Sequence, residues 1–190
     1  MAKKLENITP EIVEFIETQK IFFVATAMDT GRVNLSPKGM DSFRIIDENR
    51  VMWLNLTGSG NETATHLQHS NRITIMFCAF EGKPLILRLF GTAKTYHEYD
   101  PEWSQYVSLF PEFLGSRQIF DINVELVQTS CGMAVPFMDF KSERLELKNW
   151  AEKQGEERLV EYRSNKNTVS LDGHDTGIFK TNDAPKSSGF

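Results

Sequence analysis

Cysteine is scarce in this chain, and its scarcity removes two architectures at once. Cys78 and Cys131 are the only two among 190 residues. They stand far apart and without metal-ligand spacing, so neither a disulfide framework nor a thiolate metal site is expected. Both read as reduced thiols, Cys78 in an apolar strand-like run and Cys131 as a small buried hydrophobe. Four histidines do not restore a metal case. His66 and His69 are i, i+3 with no carboxylate or thiolate placed to complete a site, and they read as exposed helix residues. No apolar run approaches the ~20 residues that span a bilayer, and the opening "MAKKLENITPEIVEF" has two lysines without an apolar signal core. No membrane is expected, and the chain reads as cytoplasmic. Basic charge is lacking too: a formal net charge of -5 and 25% charged residues give no field for nucleic acid. There is no internal repeat, and low complexity is confined to "APKSSGF".

What remains is the composition of a globular domain with 40% hydrophobic residues. "TPEIVEFIETQ" opens with Thr9 at an N-cap position and Pro10 at the first helical one, with Ile12 and Ile16 on one face. Apolar and β-branched runs then recur at hairpin spacing over 21–27, 32–36, 42–47, 51–56, 72–80 and 85–97, with Gly91 placed as a bulge. A helix over 100–110 is expected, capped by Asp100, and then a strand over 117–130 alternating at Ile122, Val124 and Leu126. Past residue 140 the charge density is helical and broken at Gly155, which predicts two helices and a loose tail. The division expected is a mainly β domain over 1–140 and a helical extension over 141–190, the first an antiparallel barrel.

The stretch "WLNLTGSGNETATHL", residues 53–67, joins a strand to a helix through a turn rich in glycine, hydroxyl and amide groups. The first N–H groups of a helix have no intrahelical partner, so such a turn suits either an anion or a capped helix. A small β-barrel with an anion site points to a phosphorylated ligand.

Six stretches together resemble the pyridoxamine 5′-phosphate oxidase-like flavin-binding split barrels: "FFVATA", "GRVNLSPKG", "LTGSGNETATHL", "RITIMFCAF", "LILRLFGTA" and "QTSCGMAVPFMDF", with a weaker likeness at "KNTVSLDG". The resemblance covers most of the chain. It implies a split antiparallel barrel that forms a homodimer, with FMN in clefts between subunits and its phosphate near the strand–helix turn. Carried over by position, it places Asn61, Glu62 and Thr63 where phosphate ligands belong, with Ser59 beside them and Asn55 and Thr57 leading into the turn. Glu62 stands where the family has arginine, so either it turns outward or the phosphate is held by backbone N–H groups and short polar side chains, with Lys38 or Arg44 as the cation. Ser36, Pro37 and Lys38 fall on the strand that lines the flavin in similar proteins. For them the alternative is a surface strand end. Arg88 is read as a flavin or dimer contact, or as an outward-facing barrel arginine.

The implied activity is FMN-dependent oxidoreduction of a small molecule, with no catalytic acid or base assigned. The true oxidase's phosphate-binding Tyr, Arg and Ser have no match in "YDPEWSQYVSLFPEFLGSRQ", and its basic C-terminal motif is missing, so that activity is not expected. A flavin carrier or sensor without turnover, and a barrel that takes another ligand such as haem, are the alternatives.

Overall fold

A computed structural model describes residues 2–180, so the end of the expected tail lies outside the described residues. The chain runs β1 (Lys3–Leu5), α1 (Pro10–Thr18), β2 (Phe22–Thr26), β3 (Asn34–Lys38), β4 (Phe43–Asp47), β5 (Arg50–Leu56), α2 (Glu62–His69), β6 (Arg72–Cys78), β7 (Ile86–His97), α3 (Trp103–Val107), β8 (Ser116–Ser130) and α4 (Glu146–Lys166). The strands form one antiparallel sheet in the order β3-β2-β6-β7-β8-β5-β4, with β1 added to β8. β3 and β4 are its two ends and do not pair with each other, but Phe22 of β2 packs on Phe43 of β4 at 5.1 Å, so the sheet curls into a barrel that stays split between them.

Period-2 alternation builds the barrel interior. Val24, Ile75, Leu87, Leu89 and Ile122 point inward with no solvent exposure, and α1 contributes Ile12 and Ile16 to the same core. β5 is buried on both faces, which its continuous apolar run requires. Trp53 faces the barrel core, stacked on Phe120 at 4.6 Å, while Met52 and Leu54 join Tyr96, Phe110 and Ile119 in a second core.

Gly91 sits at the bulge between β7 and β8, where a Cβ would lie 1.9 Å from the Asn123 carbonyl oxygen. The same register shift corrects the alternation expected of β8. Val127 is fully buried and Leu126 only half-buried, because the bulge moves the inward set by one residue. Asp100 does not cap a helix. Its carboxylate accepts a bond from the His97 amide at 2.8 Å, and α3 is confined to 103–107.

The break at Gly155 is real and sharp. Its φ of 70° and ψ of 170° lie in a region that side chains disfavour. Trp150 and Tyr162 pack edge to face at 5.2 Å, although twelve residues of straight helix would separate them by about 18 Å. α4 is therefore a helical hairpin. The segment that follows is pinned rather than loose as far as residue 180: Asn167 donates to the Gly58 carbonyl at 2.9 Å, and Tyr99 donates to the Gly177 carbonyl at 2.7 Å.

Candidate functional site

The end of β3, the middle of β5 and the turn after it enclose a cavity of about 200 Å³. Pro37 and Lys38 line one side, Trp53, Asn55 and Thr57 the floor, and Gly58, Gly60 and Leu147 the far end. Pro37 is tolerated because β3 is an edge strand whose outer N–H side pairs with nothing. The Lys38 ammonium lies over the Trp53 ring at 5.0 Å and forms no ion pair among the described residues. Burial pulls its pKa down to about 8, the nearby Arg117 pulls the same way, and Glu62 opposes both. A half-buried cation without a carboxylate partner favours an anionic ligand.

A buried polar cluster underlies the turn. Arg117, 2% exposed at the start of β8, donates to the carbonyls of Gly58 and Gly60, while its Nε has no partner among the described residues. Burial and then Arg163 hold its pKa down to about 10. Arg163 donates to Thr57 Oγ1 at 2.9 Å, to the Ser116 carbonyl at 2.7 Å and to Glu98 at 2.9 Å. His97, buried beside this cluster and stacked on Tyr99, has its pKa lowered to about 4, mainly by burial, and its Nδ1 lacks a partner among the described residues. Sequence reading passed over Arg117 and Arg163. The one signal was arginine at otherwise apolar positions, at the head of an apolar strand and four residues after Leu159 on a charged helix.

Of the residues singled out by sequence, Pro37, Lys38, Asn55 and Thr57 meet at this cavity, and the exposed Ser59 stands between its lining glycines. Asn55 is tied across the sheet to Gln118 at 3.1 Å, and Thr57 is sealed between Gly115 and Arg163. Others are engaged elsewhere. Asn61 donates to the Val169 carbonyl at 2.9 Å, and Glu62 accepts from the amides of Asn61 and Leu171. Thr63 accepts from Asn34 at 3.0 Å, and Ser36 donates to the Asn34 side chain. The start of α2 thus receives the chain's own 167–171 segment. Arg44 lines a separate cavity at the barrel mouth, bound to Asp41 and the Leu109 carbonyl. Arg88 lies on the outer face of the sheet and bonds Ser130 at 3.2 Å.

Two expectations about sulfur and histidine are corrected. Cys131 is exposed, because it follows the end of β8, while Cys78 is buried, and both thiols are free. His66 is 1% exposed and bonds Thr26 at 3.0 Å, since α2 lays that face on β2. No group of three metal-ligating side chains occurs among the described residues, nor does a helix long and apolar enough to cross a membrane.

The family model described as pyridoxamine 5′-phosphate oxidase matches residues 8–131. A curated pyridoxamine 5′-phosphate oxidase family protein, ustO of Aspergillus flavus, is 34% identical over 188 aligned residues, which cover 88% of this chain and 75% of that one. Among solved structures, a variant of HupZ from Group A Streptococcus is 24% identical with a TM-score of 0.50, over 65% of this chain and 99% of that one. A putative pyridoxamine 5′-phosphate oxidase from Lactobacillus delbrueckii is 19% identical with a TM-score of 0.49, over 66% of this chain and 98% of that one. The barrel is thus a split barrel of the pyridoxamine 5′-phosphate oxidase type. This chain belongs to the pyridoxamine 5′-phosphate oxidase family.

Proposed function

We propose that the chain binds FMN in this cavity and acts as an FMN-dependent oxidoreductase on a small molecule. The observation that carries the reading is Lys38, a cation without an ion-pair partner among the described residues, held over an indole in a cavity that ends at the Gly58–Gly60 turn. Arg117 adds fixed positive charge behind that turn without entering the cavity. Lys38 would hold the phosphate, with help from the turn, while Asn55 and the β3 backbone present polar groups to the ring. Bound FMN would supply reversible two-electron transfer between a small donor and an acceptor.

The ligand space is completed, in this reading, by a second copy. A cavity of about 200 Å³ is below the roughly 300–1,000 Å³ of ordinary ligand sites. Pro37, which lines it, also begins a row across the outer sheet face through Phe23, Met76, Arg88 and Gln128. Beside that row the apolar Leu35 and Val33 are 64% and 74% exposed. A homodimer through this face covers them and closes the cleft.

A carrier or sensor without turnover is favoured by a separate feature: Lys38 is the one titratable side chain lining the cavity among the described residues. For the haem alternative, Met40 is the lining side chain of a kind that ligates haem iron, and no histidine, cysteine or tyrosine lines the cavity among those residues.

Purified protein is expected to release FMN on acid treatment, identified by chromatography. Lys38→Met should weaken FMN roughly ten- to a hundredfold, the value of a bond to a charged group, and leave riboflavin nearly unchanged. Because the Lys38 pKa is near 8, its charge is lost as pH rises through that value. FMN affinity should then fall about tenfold from pH 7 to pH 9, and the variant should not show the fall. Failure to bind FMN at micromolar concentration overturns the reading, and steady-state reduction by a nicotinamide or another donor separates enzyme from carrier.

A further inference from the structure

The wall at the turn end of the cavity comes from α4, which begins fifteen residues after the span matched by the family model. Leu147 is the cavity-lining residue supplied from beyond that span. Its half of the hairpin is pressed against the barrel: Ala151 is 5% exposed, and a Cβ on Gly115 would meet the Ala151 methyl at 3.4 Å. The other half is the anchor, with Leu159 1% exposed and Arg163 bonded beneath the turn to Thr57 and Ser116. The fold-back at Gly155 sets one half on the other, with Trp150 edge to face on Tyr162 across it, and open space surrounds that glycine, so no side-chain clash dictates its conformation.

We propose that this half-helix, residues 146–154, is a specificity wall: Leu147 closes the cleft where the ligand's phosphate ends, so the site takes a flavin bearing a terminal phosphate and excludes a dinucleotide. The inference rests on the FMN reading above. In FAD a second phosphate and an adenosine continue from the position where FMN stops. In this chain that continuation meets Leu147 and the hairpin behind it. Leu147 touches the ligand rather than reacting with it, and its position depends on the turn at Gly155.

The test uses the full chain and fluorescence titration with riboflavin, FMN and FAD on wild type, Leu147→Glu, Leu147→Lys and Gly155→Val. Wild type should bind FMN at least about tenfold more tightly than FAD. Leu147→Glu brings a like charge to the phosphate and should weaken FMN on the order of tenfold, whereas Leu147→Lys should hold or tighten it, and riboflavin should move less than about twofold in both. Gly155→Val strains the fold-back without a clash and should narrow the preference for FMN over FAD. Equal FMN and FAD affinities in wild type overturn the inference. So do charge variants that shift FMN and riboflavin together, the behaviour of a helix that only supports the fold. A wild type that binds neither FMN nor riboflavin overturns the functional reading itself and this inference with it. A Leu147→Glu chain that fails to melt cooperatively is replaced by Leu147→Lys and the wild-type FMN-to-FAD ratio, either of which can refute the wall.

Discussion

His97 shows what a single buried base costs a small barrel. Its ring is 8% exposed, stacks on Tyr99 at 5.0 Å and keeps a pKa near 4 through burial. An unfolded histidine takes a proton as pH falls through about 6.5, while the folded one stays neutral to about 4. Between those values the unfolded chain binds more protons, so stability falls on acidification across that window, by roughly 2–3 kcal/mol in full. His97→Phe keeps the stacking and removes the titration. Its melting temperature should drop less than that of wild type between pH 7 and pH 4.5. Parallel curves for the two proteins would show that His97 is not the buried base described here. In the turn, Gly58 and Gly60 present their carbonyls to Arg117, a role that the backbone of any residue could fill.

At the scale of elements, alternation and glycine spacing made most strands readable in advance. The runs around β2, β5, β6 and β7 coincide with the strands to within a few residues. Gly91 was legible as a bulge, and the reason is steric: the Asn123 carbonyl occupies the place of a side chain. Gly91→Ala should therefore destabilise by about 1–3 kcal/mol or more, read as a lowered denaturation midpoint with an unchanged slope. An unaffected midpoint would mean that β7 and β8 approach less closely than this register requires. β1, three residues with two lysines, carries no apolar pattern and exists only because β8 is long enough to pair with it. The α4 hairpin was half legible. Gly155 marked the break, but the contact of Trp150 with Tyr162 depends on the angle of the turn.

For the whole molecule the open question of assembly has a direct measurement. Light scattering should report twice 21.8 kDa. Leu35→Glu, on the exposed side of the edge strand, should yield a folded monomer with weakened FMN binding, since it charges the face and spares the core. A wild-type monomer that binds flavin would sink the shared cleft.

The order of apolar runs, the turn at 57–61 and the break at 155 follow from the sequence itself. Each is a local property, of side-chain period or of a residue's backbone freedom. Lys38, Asn55 and Thr57 were singled out by the family resemblance and not by any local period, and the structure lines one cavity with all three. What surrounds them was settled in three dimensions. Arg117 lies beneath the turn because β8 pairs with β5, and Asn61 and Glu62 face the 167–171 segment because α4 returns the chain to α2. Leu147 reaches the cavity because the hairpin folds back at Gly155. Such contacts join residues about sixty to more than a hundred positions apart. No local period encodes them, since their energy appears only once the intervening sheet has closed.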